Sequence, residues 1–131
     1  HSYLFIYVDP VVFSKNIASV LSPFDAIRLP ASADGTDLQI DYEAELAVVI
    51  GKACKNVSPA EALSYVLGYT CANDVTSRHW QFAVPNNSQW VYSKGFDTFC
   101  PLGMTLMTPA VLGEAANLKI GCTLNGQVTN K

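Results

Sequence analysis

Two glutamates, Glu43 and Glu45, lie two positions apart in a segment where apolar and polar residues alternate. Side chains two apart on a β-strand point to the same side, with about 7 Å between their backbone positions. Two ionised carboxylates at that spacing repel each other, and partial burial strengthens the repulsion. A divalent cation would relieve it, because Mg²⁺ and Ca²⁺ prefer carboxylate oxygens. The same pair also fits an exposed strand face with two solvated acids, so both interpretations stay open.

A second polar group lies further along the chain. Asp74, Arg78 and Gln81 are spaced so that a helix would place them on one face. A carboxylate, a guanidinium and an amide in one row could bind a metal and an anionic, carbonyl-bearing ligand. The alternative is an ordinary ion pair on a surface helix, worth about 0.2–0.5 kcal/mol. Lys94 precedes a glycine and two phenylalanines, which predicts either a cation in a partly apolar pocket or a surface lysine whose stem covers apolar neighbours.

The strand that must carry the two glutamates is the clearest element in the sequence. Residues 38–51 alternate, and their far end is apolar on both faces, which predicts burial on both sides there. Residues 10–23 fit neither the helical nor the strand period. The other predicted elements are strands at 3–8, 69–72 and 104–108, a helix or turn at 73–82, loops at 31–37, 85–88 and 96–103, and a terminal hairpin that alternates over 118–124 and turns at Asn125-Gly126.

A helix is predicted over residues 58–67, between the two groups of candidate residues. Ser58 can cap its start, Pro59 suits the first helical position, and Glu61 completes a capping box. Gly68 is placed to end it.

Length and composition limit the function classes. The 131 residues, half of them apolar, are enough for one globular domain and exclude a disordered chain. The net charge of −3 comes with no basic patch, which argues against a nucleic-acid partner. No apolar run approaches the roughly 20 residues that span a bilayer, so no membrane is expected. No targeting segment is recognised, and a cytoplasmic location is the default expectation.

The four cysteines give no metal signature. Cys54, Cys71, Cys100 and Cys122 are widely spaced, without a Cys-x-x-Cys pair. We expect mostly buried free thiols that pack as small apolar groups.

Taken together, the order and spacing of these residues resemble the fumarylacetoacetate hydrolase family. The resemblance runs from about Pro10 to the C-terminus. It is carried by PVVFSK at 10–15, DYEAELAVVIG at 41–51, GYT at 68–70, ANDVTSR at 72–78, the following Gln81, and KGFDTFCPLG at 94–103.

The resemblance implies a fold, a metal and a substrate class. The implied fold is α+β and mostly β, a mixed β-sheet roll with few short helices, usually assembled as a homodimer. The implied metal is Mg²⁺, sometimes Ca²⁺ or Mn²⁺, and the substrate is a small anionic 2-oxo or 1,3-dicarbonyl acid. The implied metal ligands are Glu43, Glu45 and Asp74, and the positions that match substrate- and oxyanion-contacting residues, and hence catalytic ones, are Arg78, Gln81 and Lys94.

The expected activity is metal-dependent C–C bond hydrolysis of an acylpyruvate or fumarylacetoacetate-like acid through a metal-chelated enolate. Oxaloacetate decarboxylation and keto–enol tautomerisation at the same site are alternatives, because each also passes through an enolate. A catalytically inactive scaffold of this fold is the alternative from another class. Residues 1–131 are expected to form one catalytic domain, incomplete at its C-terminus and without a recognisable N-terminal lid. Neither His1 nor His79 lies in the His-x-x-Glu pattern that activates water in hydrolytic members.

Overall fold

The computed structural model describes residues 10–31, 37–82 and 89–129. Its longest feature is an antiparallel ribbon. Strands β3 (Ala44–Ile50) and β4 (Val66–Asn73) pair along their whole length, with an irregularity at Val49/Ile50. Strands β2 (Ile40–Asp41) and β5 (Thr76–Ser77) continue the ribbon beyond a break.

The break falls at residues 42–43 of one side and 74–75 of the other, so the predicted strand over 38–51 is interrupted. Regular pairing stops because the backbone amides there find other acceptors. Glu43 N–H donates to the side-chain oxygen of Asn73 over 3.1 Å, and Val75 N–H donates to the carbonyl of Phe99 over 3.1 Å. One backbone bond, from Asp74 N–H to the Glu43 carbonyl (2.9 Å), still joins the two sides.

Short strands and helices surround the ribbon. Strand β1 (Val20–Leu21) follows a 3₁₀ turn at Ile17–Ser19 and pairs in parallel with β6 (Cys100–Pro101). Strands β7 (Cys122–Leu124) and β8 (Gln127–Thr129) form the predicted terminal hairpin, and Asn125 and Gly126 both have positive φ, as an Asn-Gly turn requires. The helices are all short: α1 (Pro59–Ala62), α2 (Arg78–Phe82), α3 (Trp90–Lys94) and α4 (Pro109–Leu112). The predicted α+β, mostly β class is confirmed.

The predicted helix over 58–67 begins where expected but is shorter and ends as a 3₁₀ turn. Only α1 and a 3₁₀ turn at Leu63–Tyr65 form, and β4 begins at Val66 because this segment pairs with β3. Ser58 Oγ bonds to Glu61 Oε2 over 2.6 Å instead of capping a backbone amide. Gly68 ends no helix; it lies inside β4, where an added Cβ would come within 2.7 Å of the Met107 carbonyl oxygen.

Other boundaries also differ. Asp74 is not on a helix: it lies between β4 and β5, and α2 begins only at Arg78. Residues 104–108 form no strand, only an isolated bridge between Met107 and Tyr69. The predicted loop at 96–103 contains β6, and the loop at 31–37 lies mostly outside the described residues. The predicted strand at 3–8 and the loop at 85–88 lie entirely outside them.

Burial concentrates beside the break. Among the described residues, the buried apolar side chains are Tyr69, Val75 and Phe99. The far end of β3 is not buried on both faces as predicted, since Val48 and Ile50 are about half exposed. No helix in the described part of the chain is long and apolar enough to cross a membrane.

The four cysteines are free, as predicted, but they are not mostly buried. Cys54 and Cys71 are exposed, and Cys100 and Cys122 are intermediate. Cys71 is exposed although it lies inside the paired strand β4.

Candidate metal centre

The break in the ribbon brings three carboxylates together. Glu43, Glu45 and Asp74 each offer an oxygen, and these oxygens all lie within 4.8 Å of one another. Carboxylate oxygens coordinate Mg²⁺ at about 2.0–2.1 Å and Ca²⁺ at about 2.3–2.6 Å. Three oxygens this close can therefore share one ion, and the donor set suits a hard divalent cation.

Asp74 is buried and held by two lysines. Lys15 Nζ donates to Oδ1 and Lys94 Nζ donates to Oδ2, each over 2.5 Å. Because each carboxylate oxygen has two lone pairs, an oxygen that accepts from a lysine keeps one for a cation. The two lysines therefore fix the orientation of Asp74 without consuming its capacity as a ligand.

Lys94 is the last residue of α3 and is almost completely buried. Its ammonium donates to Asp74, to Glu43 Oε2 (2.8 Å) and to Thr76 Oγ1 (2.8 Å). Two aromatic rings lie over it, those of Phe13 at 4.9 Å and Trp90 at 6.0 Å from Nζ to the ring centroid. Ion pairs with two carboxylates and the faces of two rings offset the cost of burying this charge.

Arg78 is the first residue of α2, and its guanidinium contacts three acceptor side chains. Its Nε and Nη2 bond to Asp41 Oδ2 (3.0 and 2.9 Å), its Nη2 also contacts Glu43 Oε1 (2.5 Å), and its Nη1 donates to Gln81 Oε1 (2.6 Å). Burial alone would lower the pKa of Arg78, but the hydrogen bonds to Asp41 and Glu43, together with the negative charges of both carboxylates, outweigh burial and raise the pKa. The guanidinium is therefore a permanent positive charge that orients Glu43.

Glu45 is the exposed member of the triad. It has no ion pair or hydrogen bond among the described residues, unlike Glu43 and Asp74. Partial burial raises its pKa, and the negative charges of Asp74 and Glu43 raise it further, against smaller opposing effects of Lys94 and Lys15. A bound cation would supply the positive charge that this carboxylate lacks.

Open space borders the triad on the Glu45 side. A cavity of about 570 Å³ is lined by Glu45 and by mostly apolar residues, among them Leu46, Tyr69, Leu118 and Ile120. Of the triad, Glu45 alone lines this cavity.

The charges around the triad nearly balance. Asp41 joins the three carboxylates, and Lys15, Arg78 and Lys94 face them, which leaves one net negative charge. A divalent cation would make the cluster net positive. The loaded site would then attract an anion.

All six residues singled out in the sequence lie in this cluster, although their functional roles stay predictions. The helix-face argument for Asp74, Arg78 and Gln81 does not explain their proximity, since Asp74 precedes the helix. Sequence reasoning missed Asp41 and Lys15. Both lie inside motifs that carry the family resemblance, DYEAE and PVVFSK, which was the available signal.

Comparison with known proteins supports the resemblance. A family model described as fumarylacetoacetate (FAA) hydrolase C-terminal matches residues 4–131. A human protein named mitochondrial oxaloacetate tautomerase FAHD2A is 43% identical over 120 residues, which cover 92% of this chain and 37% of that protein.

Solved structures are similar as well. A 2-hydroxyhepta-2,4-diene-1,7-dioate isomerase from Mycobacterium marinum is 40% identical with a TM-score of 0.80, covering 94% of this chain and 45% of that one. A fumarylacetoacetate hydrolase from Exiguobacterium antarcticum is 40% identical with a TM-score of 0.66, covering 76% and 34% respectively. The predicted fold type is thereby confirmed, and the chain spans less than half the length of each of these relatives.

Proposed function

The chain belongs to the fumarylacetoacetate hydrolase family, and on that premise we propose that it carries the divalent-cation centre of an enzyme that interconverts the keto and enol forms of an anionic 2-oxo acid such as oxaloacetate. The observation that carries the proposal is the triad of Glu43, Glu45 and Asp74, with oxygens within 4.8 Å of one another. The human relative is named a tautomerase and the similar Mycobacterium protein an isomerase. Both names favour a reaction that transfers a proton within the substrate over one that cleaves a C–C bond.

In this proposal the triad holds Mg²⁺, with Ca²⁺ or Mn²⁺ as substitutes, because all its donors are carboxylate oxygens. When bound, the cation supplies a Lewis acid that polarises the carbonyl of a 2-oxo acid. The protein's own contribution is orientation. Lys94 bonds to both Glu43 and Asp74, and Arg78 bonds to Glu43, so two of the three ligands are fixed before a cation arrives.

The substrate contacts are proposed from the donors that remain. Four of the five N–H groups of Arg78 are used by Asp41, Glu43 and Gln81, which leaves one on Nη1. The side-chain amide of Gln81 lies beside it. We assign Arg78 and Gln81 to the substrate anion, and Lys94 to the reaction through the ligands that it holds.

The decisive experiment compares three outcomes in one assay. The purified chain is given oxaloacetate and acetylpyruvate with Mg²⁺ or with EDTA, and both the ultraviolet absorbance of the enol and the release of pyruvate are followed. Faster loss of the oxaloacetate enol without pyruvate indicates tautomerisation. The acceleration should disappear with EDTA and in Glu43→Gln, and persist in Glu61→Gln, whose exposed carboxylate lies outside the cluster. An unaccelerated wild type would refute the proposed reaction.

Hydrolysis of a C–C bond is the second candidate. It is favoured by the similar Exiguobacterium protein, which is named a fumarylacetoacetate hydrolase. Release of pyruvate from acetylpyruvate in the same assay would support hydrolysis, whereas release from oxaloacetate alone would support decarboxylation.

Assembly and location stay proposals. A homodimer is expected from the family resemblance, and sedimentation velocity of the purified chain would test it. The cytoplasmic expectation has to be weighed against the word mitochondrial in the name of the human relative. Imaging of the tagged full-length protein in its own cells would separate the two locations.

A further inference from the structure

We propose that Lys15 binds the carboxylate of the substrate anion at the metal centre through its remaining N–H group. The inference rests on the proposed function, because it assumes an anionic 2-oxo acid at the triad. It assigns a role to a lysine that the pattern of acids and cations in the sequence did not single out.

The ammonium groups of two lysines, Lys15 and Lys94, are bonded to the triad. Lys94 has three N–H groups and three acceptors, on Glu43, Asp74 and Thr76, and its side chain is 2% exposed. It would have to abandon one of these bonds to contact a substrate. In this structure all three N–H groups of Lys94 are therefore used by the protein.

Lys15 is different. Its Nζ has two acceptors among the described residues, Asp74 Oδ1 at 2.5 Å and the Val75 carbonyl at 3.2 Å. One N–H remains, and the side chain is 15% exposed, so this donor has access to a ligand. Because Nζ is bonded to a triad member, a substrate held at the triad lies within its reach. A carboxylate is the strongest acceptor that such a substrate offers.

The backbone around Lys15 is held on both sides. Phe13, two residues before Lys15, packs edge-on against Trp90, with ring centroids 5.6 Å apart. The following Asn16 caps the 3₁₀ turn through a 3.1 Å bond from Ala18 N–H, and the Ala18 carbonyl accepts from Thr98 N–H over 3.2 Å. The ammonium is thus placed in advance, which lowers the entropic cost of binding an anion.

A purely structural role makes a different prediction. If Lys15 only oriented Asp74, its removal would weaken cation binding. If it binds the substrate anion, its removal weakens anion binding and leaves the cation bound. Two titrations therefore separate the two roles.

The first titration uses Mn²⁺, followed by calorimetry, on wild type, Lys15→Gln, Lys15→Arg and Lys52→Gln, the last being an exposed lysine outside the cluster. The second adds oxalate, a stable planar mimic of a 2-oxo acid, to each Mn²⁺-loaded protein. Because Lys94 still holds Oδ2 of Asp74 in Lys15→Gln, we expect this variant to keep Mn²⁺ affinity within about threefold. It should lose about tenfold or more in oxalate affinity, the effect of one charge-assisted hydrogen bond. Lys15→Arg should recover part of the loss, and Lys52→Gln should match wild type.

Two results would overturn the inference: unchanged oxalate affinity in Lys15→Gln, or loss of Mn²⁺ from it. If Lys15→Gln does not fold, Lys15→Arg provides the test, because arginine places its N–H donors differently from lysine. An unchanged oxalate affinity in Lys15→Arg would then contradict the inference. A wild type that binds Mn²⁺ and oxalate but does not tautomerise oxaloacetate refutes the proposed reaction alone. A wild type that binds no Mn²⁺ refutes the metal centre and the role of Lys15 together.

Discussion

Lys94 Nζ lies 2.5 Å from Asp74 Oδ2, and both side chains are almost completely buried, at 2% and 3% exposure. An ion pair in this environment is weak evidence of net stabilisation, because desolvation of both charges opposes their attraction. Removal of one partner is a different matter, since it leaves the other charge buried without compensation. Loss of either partner is therefore expected both to destabilise the fold and to disturb the geometry of the metal centre.

Lys94→Met should lower the free energy of unfolding by about 3–5 kcal/mol, the usual cost of breaking a buried ion pair. The reason is the repulsion left between Glu43 and Asp74 once the ammonium is gone. Urea denaturation in EDTA measures the change, with Lys52→Met as the exposed control. A loss below about 1 kcal/mol would show that the two acids tolerate each other without Lys94.

Arg78→Lys should weaken Mn²⁺ binding while leaving the fold intact. Lysine keeps the positive charge but cannot reach Asp41, Glu43 and Gln81 at once, as the planar guanidinium does. With Glu43 no longer oriented, we expect at least a tenfold rise in the dissociation constant, about 1.4 kcal/mol. Calorimetric titration measures it, and Arg28→Lys, at an exposed position, should bind Mn²⁺ like wild type.

The candidate site could be predicted from sequence because its motifs resemble those of a known family, whereas residue types and spacing alone left each group of residues open to an ordinary structural interpretation. The strand that carries Glu45 was predictable from its alternation, but the position of Asp74 between two strands was not. Lys15 and Asp74 are 59 positions apart, and only the fold shows that they touch. Asp74 and Arg78 have helical spacing, yet Asp74 is held by the Glu43 carbonyl across the ribbon and not by a helix.

The misassigned helix has the same cause. Local signals at Ser58, Pro59 and Glu61 do start a helix, but pairing of β4 with β3 begins at Val66 and overrides the helical pattern there. The Asn125-Gly126 turn was predictable because its φ angles are a local property of those two residues.

The stability of the metal-free chain should depend on pH through Glu45. Burial, with the charges of Asp74 and Glu43, raises the pKa of Glu45 above its ordinary value of 4.5. The folded chain therefore binds this proton more tightly than the unfolded chain. The contribution of Glu45 to the free energy of unfolding then falls as the pH rises from about 4.5 through the raised pKa, and its penalty is absent below that range.

Urea titrations in EDTA at about pH 4.5 and about pH 7 measure this slope. Glu45→Gln should flatten it, and Glu114→Gln, at an exposed position, should not. Saturating Mg²⁺ should remove the loss at neutral pH, because the cation stabilises the ionised carboxylate. A wild-type slope in Glu45→Gln would exclude Glu45 as its source.

Cys100 should react slowly with iodoacetamide. Burial raises the pKa of its thiol above the ordinary value of 9.0 and outweighs the opposing effect of Lys15, while Asp74 and Glu45 add smaller effects in the same direction as burial. The reactive thiolate is therefore scarcer at neutral pH than for a free cysteine. Peptide mapping over time should show Cys54 and Cys71, which are exposed, modified first. Equal labelling of Cys100 at neutral pH would contradict this order.

Gly95→Ala should damage the site without touching any charged group. An added Cβ at Gly95 would lie 2.5 Å from the Val91 carbonyl oxygen, whereas one at Gly121 would meet nothing within 4 Å. The backbone after α3 must then shift, and it carries Lys94, the immediately preceding residue, away from Glu43 and Asp74. We expect a loss of about 1–3 kcal/mol in unfolding free energy, as in other overpacked sites, together with weaker Mn²⁺ binding. Gly121→Ala should change neither quantity. If Gly95→Ala lowered stability alone and bound Mn²⁺ like wild type, the position of Lys94 would not depend on the end of α3.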